Sequence, residues 1–387
     1  MLRDETVLVT DAEYISALGV VRSLGRRGHR VVCVSPHRRA HSFYSKYCSV
    51  REVVPDPAAR PKEYGQALAR IASREEVRVI FPVYIHSVRL LARRGRDLFT
   101  NVAMLVPPAD SFEVADDKAR TCAHAAGLRM PTPGYTLYRE PGEVEAGIAS
   151  GRLELPLVLK TPVGEGARGV RYLDRASDLQ RLWDEIDPAK KGLLAQRRIR
   201  GDGYGVSLLF DSHSNCLARF VHRRLRESPP SGGASVLRES VDWPGLAEMA
   251  ERLLASLHWR GVAMVEYKVA ADGTPYLMEI NPRFWGSLHL AVVSGVDFPY
   301  LYFISAIGRD PAPVYQYRAG IRASRLLYGG LQVLPHYIKA SGSPMRALRE
   351  TFGLTGVETH FDILSRDDPG PAWGRTLYTL SLLRSRR

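Results

Sequence analysis

Several features that would each have pointed to a function are scarce in this chain. It has four cysteines in 387 residues (Cys33, Cys48, Cys122 and Cys216), far apart and without a CxxC pair. That argues against a disulfide framework and a cysteine zinc site, and fits a reducing compartment. Lysine is also rare: eight of the 54 basic residues are lysine and 46 are arginine. No long apolar run is present, since the most apolar stretch, 284–308, is broken by His289, Asp297 and Pro299. The breaks come too early for a spanning helix of about 20 residues. The start, MLRDETVLVTDAE, meets an acidic residue before a signal-like apolar run can form. A soluble, cytoplasmic protein is the expectation. No GxGxxG follows the first predicted strand, no Gly-Lys-Ser/Thr marks a Walker loop, and zinc-finger and RNA-recognition signatures are missing.

The composition itself, 45% hydrophobic and 25% charged, is that of a globular protein too long for one ordinary domain. The net charge is +13. Basic runs such as Arg93–Arg96 and Arg384–Arg387 are read as solvated surface, with nucleic acid, anionic lipid or an anionic substrate as the competing partners.

Valine-rich runs at 6–10, 30–35 and 77–83 read as short buried strands, with a helix over 17–28 between the first two. Strand, helix, strand predicts a parallel sheet with crossover helices. After Pro107–Pro108 the texture changes. A helix is predicted over 116–126, then a hairpin whose runs at 155–160 and 170–173 flank a glycine-rich tip, then a helix at 177–185. Strands at 193–199, 204–210 and 216–225 follow, a helix at 246–257, and a strand pair within 261–281. The tail beyond about 330 mixes helical and loop signals.

Chemistry concentrates in three places. In the strand pair, Asp272-Gly273 is a two-residue hairpin signal. A two-residue turn there sets Glu266 opposite Glu279 and Met264 opposite Asn281, with Glu266, Glu279 and Asn281 on one face. Two facing carboxylates repel unless a positive group sits between them. Converging oxygen donors suit Mg²⁺, and a solvated face neutralised by Lys268 is the competing reading. A three-residue turn would break this register. The second place is Lys160-Thr-Pro-Val-Gly164-Glu-Gly166-Ala-Arg-Gly169, where glycines let backbone amides approach phosphate oxygens beside a lysine. A plain hairpin tip competes with that reading, and Lys118 competes with a surface ion pair to Asp116 or Asp117. The third is the basic run His222-Arg-Arg224-Leu-Arg226 feeding the loop Pro-Pro-Ser231-Gly232-Gly233-Ala-Ser235, a cradle for an anionic group.

In this order the pieces resemble the ATP-grasp superfamily, especially its carboxylate–amine ligase branch, over about residues 1–300. The resemblance implies an α/β fold (α+β in the grasp itself). A Rossmann-like pre-ATP-grasp domain would span 1–112, a small lid subdomain 113–195, a large subdomain 196–330 and a C-terminal extension 331–387. It implies ATP and Mg²⁺, with two ions expected and Mn²⁺ as an alternative. Lys118 and Lys160 would contact ATP phosphates under the loop carrying Gly164, Gly166 and Gly169. Gln196, Arg197 and Ile199 would border the adenine, and Asp202 the ribose. Many relatives have an acidic residue where this chain reads Gln196-Arg197. Glu266, Glu279 and Asn281 would hold metal, and Arg283 would stabilise the transferred phosphoryl group. Arg224 with Ser231, Gly232, Gly233 and Ser235 is expected to position the acceptor. Trp285 and Ser287 would line the same pocket, with core packing the alternative for Trp285. The implied activity is amide formation through an acyl phosphate from small carboxylate and amine substrates. Implied too are no nucleic acid, no transmembrane segment, and the homodimer found for many relatives. A phosphotransferase, an acid–thiol ligase and a basic binding protein with a non-catalytic nucleotide site remain the alternatives.

Overall fold

The computed structural model describes residues 4–164, 169–186, 192–229 and 232–384. The chain opens with β1 (Thr6–Val9), α1 (Ile15–Gly25), β2 (Arg30–Ser35), β3 (Val50–Val53), α2 (Pro61–Arg74), β4 (Val79–Phe81) and α3 (Ile85–Leu98). The four strands form a parallel sheet in the order β3-β2-β1-β4. The three valine-rich runs become β1, β2 and β4, and Val7, Val31, Val32, Val79 and Ile80 are fully buried. The edge strand β3 escapes the sequence reading. Its residues are only half buried, so Val-Arg-Glu-Val carries no apolar run to betray it.

Next come α4 (Ala109–Asp116) and α5 (Lys118–Gly127). The helix expected over 116–126 is therefore the second of two, and the break falls at Asp117. Its carboxylate caps α5 by accepting from the amides of Ala119 (2.8 Å) and Arg120 (3.0 Å). This places Lys118 in the first turn of a helix.

A second sheet contains β5 (Tyr135–Tyr138), β6 (Leu157–Lys160), β7 (Val170–Leu173) and β8 (Leu193–Arg197). It is antiparallel, ordered β5-β8-β6-β7, and is backed by α6 (Pro141–Ala149) and α7 (Leu179–Ile186). The predicted hairpin is β6–β7.

The largest sheet follows: β9 (Asp202–Phe210), β10 (Cys216–Ser228), β11 (Ala234–Ser240), β12 (Gly261–Val269), β13 (Pro275–Asn281), β14 (Arg322–Ser324) and β15 (Thr359–Phe361). Their order is β13-β12-β9-β10-β11-β14-β15. Helix α8 (Pro244–Ala255) covers one face, packing Leu246, Ala250 and Leu253 on Val206, Leu208 and Val265. On the opposite side α9 (Leu288–Ser294) and α10 (Phe298–Ala306) share a core with the first sheet, which includes Phe81, Phe284 and Tyr302. Tyr302 ties the layers together, accepting from the Leu105 amide (2.8 Å) and donating to the Ile80 carbonyl (3.2 Å). The helices α9 and α10 meet at 90°, and no single helix among the described residues is long and apolar enough to cross a membrane.

The tail completes the sheet rather than trailing from it. Helices α11 (Leu331–Ser341), α12 (Pro344–Thr351) and α13 (Gly370–Arg384) flank β15. Arg22 in α1 binds the Asp368 carboxylate (2.9 Å) and the carbonyls of Asp362, Ile363 and Asp368. Arg238 in β11 makes a forked pair with Asp362, and neither side chain has any exposed surface. Removing one partner of such a pair leaves an uncompensated buried charge. Asp362→Ala should therefore lower the unfolding free energy by about 3–5 kcal/mol. Urea denaturation measures it, and a loss near zero would mean that the tail is not held by this pair.

Candidate functional site

The β12–β13 hairpin does not turn as the sequence suggested. The Gly273 amide donates to the Ala270 carbonyl, and Ala270 pairs with Thr274, so the loop has three residues with Gly273 at φ +84°. That turn shifts the pairing by one, to Val269 opposite Pro275 and Tyr267 opposite Leu277. A bulge after Leu277 then takes up one extra residue on β13 and cancels the shift. Glu266 lies opposite Glu279 and Met264 opposite Asn281, as expected, but by two compensating irregularities rather than one regular turn.

The row continues across the sheet. Glu266 pairs with Gly205 on β9, and Gly205 pairs with His222 on β10. A Cβ at Gly205 would lie 2.3 Å from the His222 ring, and one at Gly203 would lie 3.1 Å from Arg224 Cδ. These alternate glycines leave a bare trough along β9, across which Arg224 reaches Glu266 at 2.6 Å from two strands away. Arg224 also contacts Glu227 and the Gly233 carbonyl, both at 3.3 Å. Burial opposes its charge, but Glu266 and Glu227 outweigh that and raise its pKa. The Gly-x-Gly spacing within a strand was the available signal for this close approach, and the sequence reading passed over it. That reading counted His222 in a basic run, but its ring is buried and held neutral by burial and by Arg224 and Arg238.

Opposite this wall stand the two buried lysines, 8% exposed at Lys118 and 7% at Lys160. Lys118 donates to the Gly164 carbonyl at 2.9 Å and lies 3.5 Å from Glu279. Burial lowers the Lys160 pKa, against the pull of Glu279. For Glu279, burial pushes the pKa up, but Lys118, Lys160, Arg224 and Arg283 together bring it below the ordinary value. Glu266 ends above it, because burial and the neighbouring Glu279 outweigh Arg224. Arg283 donates to the Asn281 side-chain oxygen (2.9 Å) and to the Phe284 carbonyl (3.0 Å), and lies over the Tyr84 ring. Lys118, Gly164, Glu279, Asn281 and Arg283 line one cleft.

The other predicted residues scatter more widely. Gly164 and Gly169 close against Thr161, whose hydroxyl oxygen would meet a Cβ at 2.8 and 2.6 Å, so only glycine fits either place. Gly166 and Ser231 lie outside the described residues. Gln196 is buried, with its amide toward the Cys122 sulfur (3.6 Å). Arg197 is exposed at the end of β8 near the Tyr276 ring, and Ile199 is half-buried just beyond it. Asp202 is exposed and paired with Arg223 at 2.7 Å. Gly232 approaches the Tyr172 hydroxyl of β7, while Ser235 turns to the Leu237 carbonyl on its own strand. Ser287 is buried 3.4 Å from His222. Trp285 corrects its expectation: its fully buried ring packs edge-on against Phe298, 4.9 Å away, in the hydrophobic core. An apolar ring flanked by core helices gains more from that burial than from lining a polar cleft.

The donor set suits a hard divalent cation. The Asn281 amide nitrogen lies 3.0 Å from Glu266 and 3.4 Å from Glu279, so a donor occupies the point where both carboxylates converge. Rotating that amide would present its oxygen to the same point. Two carboxylates and an amide leave the remaining positions to water or phosphate, as Mg²⁺ sites commonly do.

Residues 190–326 match the family described as "ATP-grasp in the biosynthetic pathway with Ter operon". The biotin carboxylase of Campylobacter jejuni, solved as a β,γ-ATP complex, superposes over 82% of this chain and 74% of its own, with TM-score 0.66 and 17% identity. The chain has the ATP-grasp fold. An L-amino acid ligase from Bacillus licheniformis shares this ATP-grasp architecture, with TM-score 0.63 and 16% identity over 83% of this chain and 79% of that one. In sequence, the α subunit of mitochondrial methylcrotonoyl-CoA carboxylase from Dictyostelium discoideum is 23% identical over 295 residues. Those residues are 69% of this chain but only 40% of that subunit, so the ATP-grasp chain spans about two fifths of its relative's length.

Glu279 sits below the ordinary glutamate value of 4.5. Its ionisation therefore stabilises the fold above pH ~4.5, and that contribution is lost as pH falls through the lower folded-state value. Glu279→Gln should be less stable near neutrality and lose less stability on acidification. Urea midpoints across pH measure this, and parallel curves for the two proteins would contradict the assignment.

Proposed function

We propose that the protein is an ATP-dependent ligase that joins a carboxylate to an amine and releases ADP and phosphate. One observation carries the reading. Two facing carboxylates and an amide converge, and four cations, Lys118, Lys160, Arg224 and Arg283, are brought to them from separate elements. Among the described residues, nothing in the cleft resembles a nucleophile paired with a base. A site of this kind works by positioning anions and balancing their charge.

In the first step a substrate carboxylate oxygen attacks the γ-phosphorus of ATP, giving an acyl phosphate and ADP. In the second an amine nitrogen attacks the acyl carbon, phosphate leaves, and the amine gives up a proton. Phosphorylation is needed because a free carboxylate would otherwise have to expel oxide. Lys118 and Lys160 hold phosphate oxygens beside Gly164 and Gly169, and the hydrolysable intermediate has to be kept from water. Glu266, Glu279 and Asn281 would hold Mg²⁺, one or two ions or Mn²⁺ in its place. The metal supplies charge neutralisation between phosphate groups. Arg283 balances charge on the phosphoryl group in transfer, and Arg224 positions the acceptor with Gly232 and Gly233. Gln196, Arg197 and Ile199 border the adenine side. The named relatives include both a carboxylase and an amino acid ligase, and the arginine-lined acceptor side favours an acceptor that itself carries an anion.

Purified protein with Mg·ATP should form ADP and phosphate only when a carboxylate and an amine from a panel of amino acids, dipeptides and small acids are both supplied. Glu279→Ala should reduce the rate to background. AMP and pyrophosphate as products would overturn the acyl-phosphate route. Thiol acceptors that outcompete amines, or an isolated phosphorylated product, would move the assignment to an acid–thiol ligase or a phosphotransferase.

Arg224→Ala should raise the acceptor KM by at least about tenfold, the order expected when a charge-assisted contact is lost. ATP affinity should change little. A variant that loses ATP affinity alone would place Arg224 at the nucleotide instead.

A further inference from the structure

Twelve large hydrophobic side chains stand exposed among the described residues, and eight of them lie between Leu331 and Leu380. Three form one stripe on α13: Trp373 (73% exposed), Leu377 (37%) and Leu380 (49%). Their i, i+4, i+7 spacing puts them on a single helical face. The inner side of α13 explains why that face points outward. Gly370 and Gly374 lie flat on the turn 41–44, where a Cβ would come within 2.0 Å of the Tyr44 carbonyl oxygen and 2.4 Å of its ring. The helix is seated through its glycines, and its largest apolar side chains face away from the protein.

The surroundings of the stripe are basic. Arg38 and Arg39 are exposed next to His37, whose ring meets Tyr378 of α13 edge-on at 5.2 Å. Arg375 lies on the inner side of the helix, near the buried His41 and Arg325. From Gly370 to Arg387 there is no aspartate or glutamate. Of the nearby acids, Asp367 is engaged by Arg26 (3.0 Å), Asp368 by Arg22 (2.9 Å) and Glu13 by Ser35 (2.6 Å) in the interior, while Asp56, exposed near His37, accepts from the Ala58 amide (2.8 Å).

We propose that this face of α13 docks on an anionic lipid surface, with Trp373, Leu377 and Leu380 entering the headgroup boundary and Arg38 and Arg39 meeting lipid phosphates. A tryptophan beside leucines on a helix that carries no acid, with two exposed arginines near it, has the chemistry of an interfacial helix. A second copy of the chain fits less well, because a two-fold contact would set each basic rim against its own image. The site cleft is not involved, so the inference stands independently of the proposed activity.

The test is sedimentation of the full-length protein with phosphatidylcholine vesicles, with and without phosphatidylglycerol. Binding is expected only with the anionic lipid, weakening as salt screens the charges. The triple variant W373S/L377S/L380S should bind at least about tenfold more weakly, the scale of burying such side chains at an interface. R38S/R39S should lose roughly fivefold per arginine. All five side chains are exposed, so thermal unfolding should be unchanged; if the triple variant fails to fold, W373S alone carries the comparison. Equal sedimentation of wild type and triple variant would overturn the proposal, as would no binding to either vesicle. A concentration-dependent dimer abolished by the triple variant, without lipid binding, would assign the face to a second copy and likewise overturn it. RNA binding abolished by the same variant, again without lipid binding, would do so too.

Discussion

Glu266 and Glu279 face each other across two adjacent strands, and their mutual repulsion organises the cleft around them. Carboxylates at that separation are stable only if positive charge is supplied nearby. The fold supplies it from four directions: Lys118 from the first turn of α5, Lys160 from the end of β6, Arg224 across β9, and Arg283 beyond β13. Each comes from a different part of the chain, so the cleft exists only when the sheets and α5 are assembled. The same arrangement describes a site ready for an anionic, phosphate-bearing partner, because the cations exceed the carboxylates they balance.

The Gly203-x-Gly205 trough gives Arg224 its reach. Two strands in a sheet lie about 4.8 Å apart, so a side chain on β10 meets one on β12 only by lying across the strand between them. Any side chain at 203 or 205 would fill that path. Arg224 bridges Glu266 and the Gly233 carbonyl, and so links the carboxylate that would ligate metal to the loop proposed to hold the acceptor. Far from the cleft, the tail is held by the opposite kind of charge placement. The Arg238–Asp362 and Arg22–Asp368 pairs are buried and leave little to solvent, and they fasten residues 359–370 to the sheet and to α1.

The hairpin shows how far a local pattern can be trusted. Asp272-Gly273 promised a two-residue turn, and the pairing of the two glutamates was inferred from it. The turn has three residues, and the pairing survives because a bulge at the other end takes up the difference. Leu277 and Ile280 are three residues apart, so the bulge is what lets both face α8 with Val265, and burying them sets the register more firmly than the turn does. Trp285 failed for the complementary reason. Its position beside Arg283 suggested a pocket, but the partners that claim its ring, Phe298 and the core around it, are brought in by helices that no local motif announces.

The sequence by itself determined the three buried strands of the first sheet, the order of the ATP-grasp elements, and the residue types that gather in the cleft. Strong valine runs, a glycine-rich turn beside a scarce lysine, and Glu-x-Asn-x-Arg are local patterns whose meaning does not depend on distant partners. The tertiary structure alone decided which residues meet. Edge strand β3, the Asp117 break that aims Lys118, the reach of Arg224 across a glycine trough, the core role of Trp285 and the tail's place in the sheet all depend on contacts between segments remote in the chain. Local propensity cannot report such contacts, because the energy that selects them comes from burial and charge pairing that exist only once those segments are packed together.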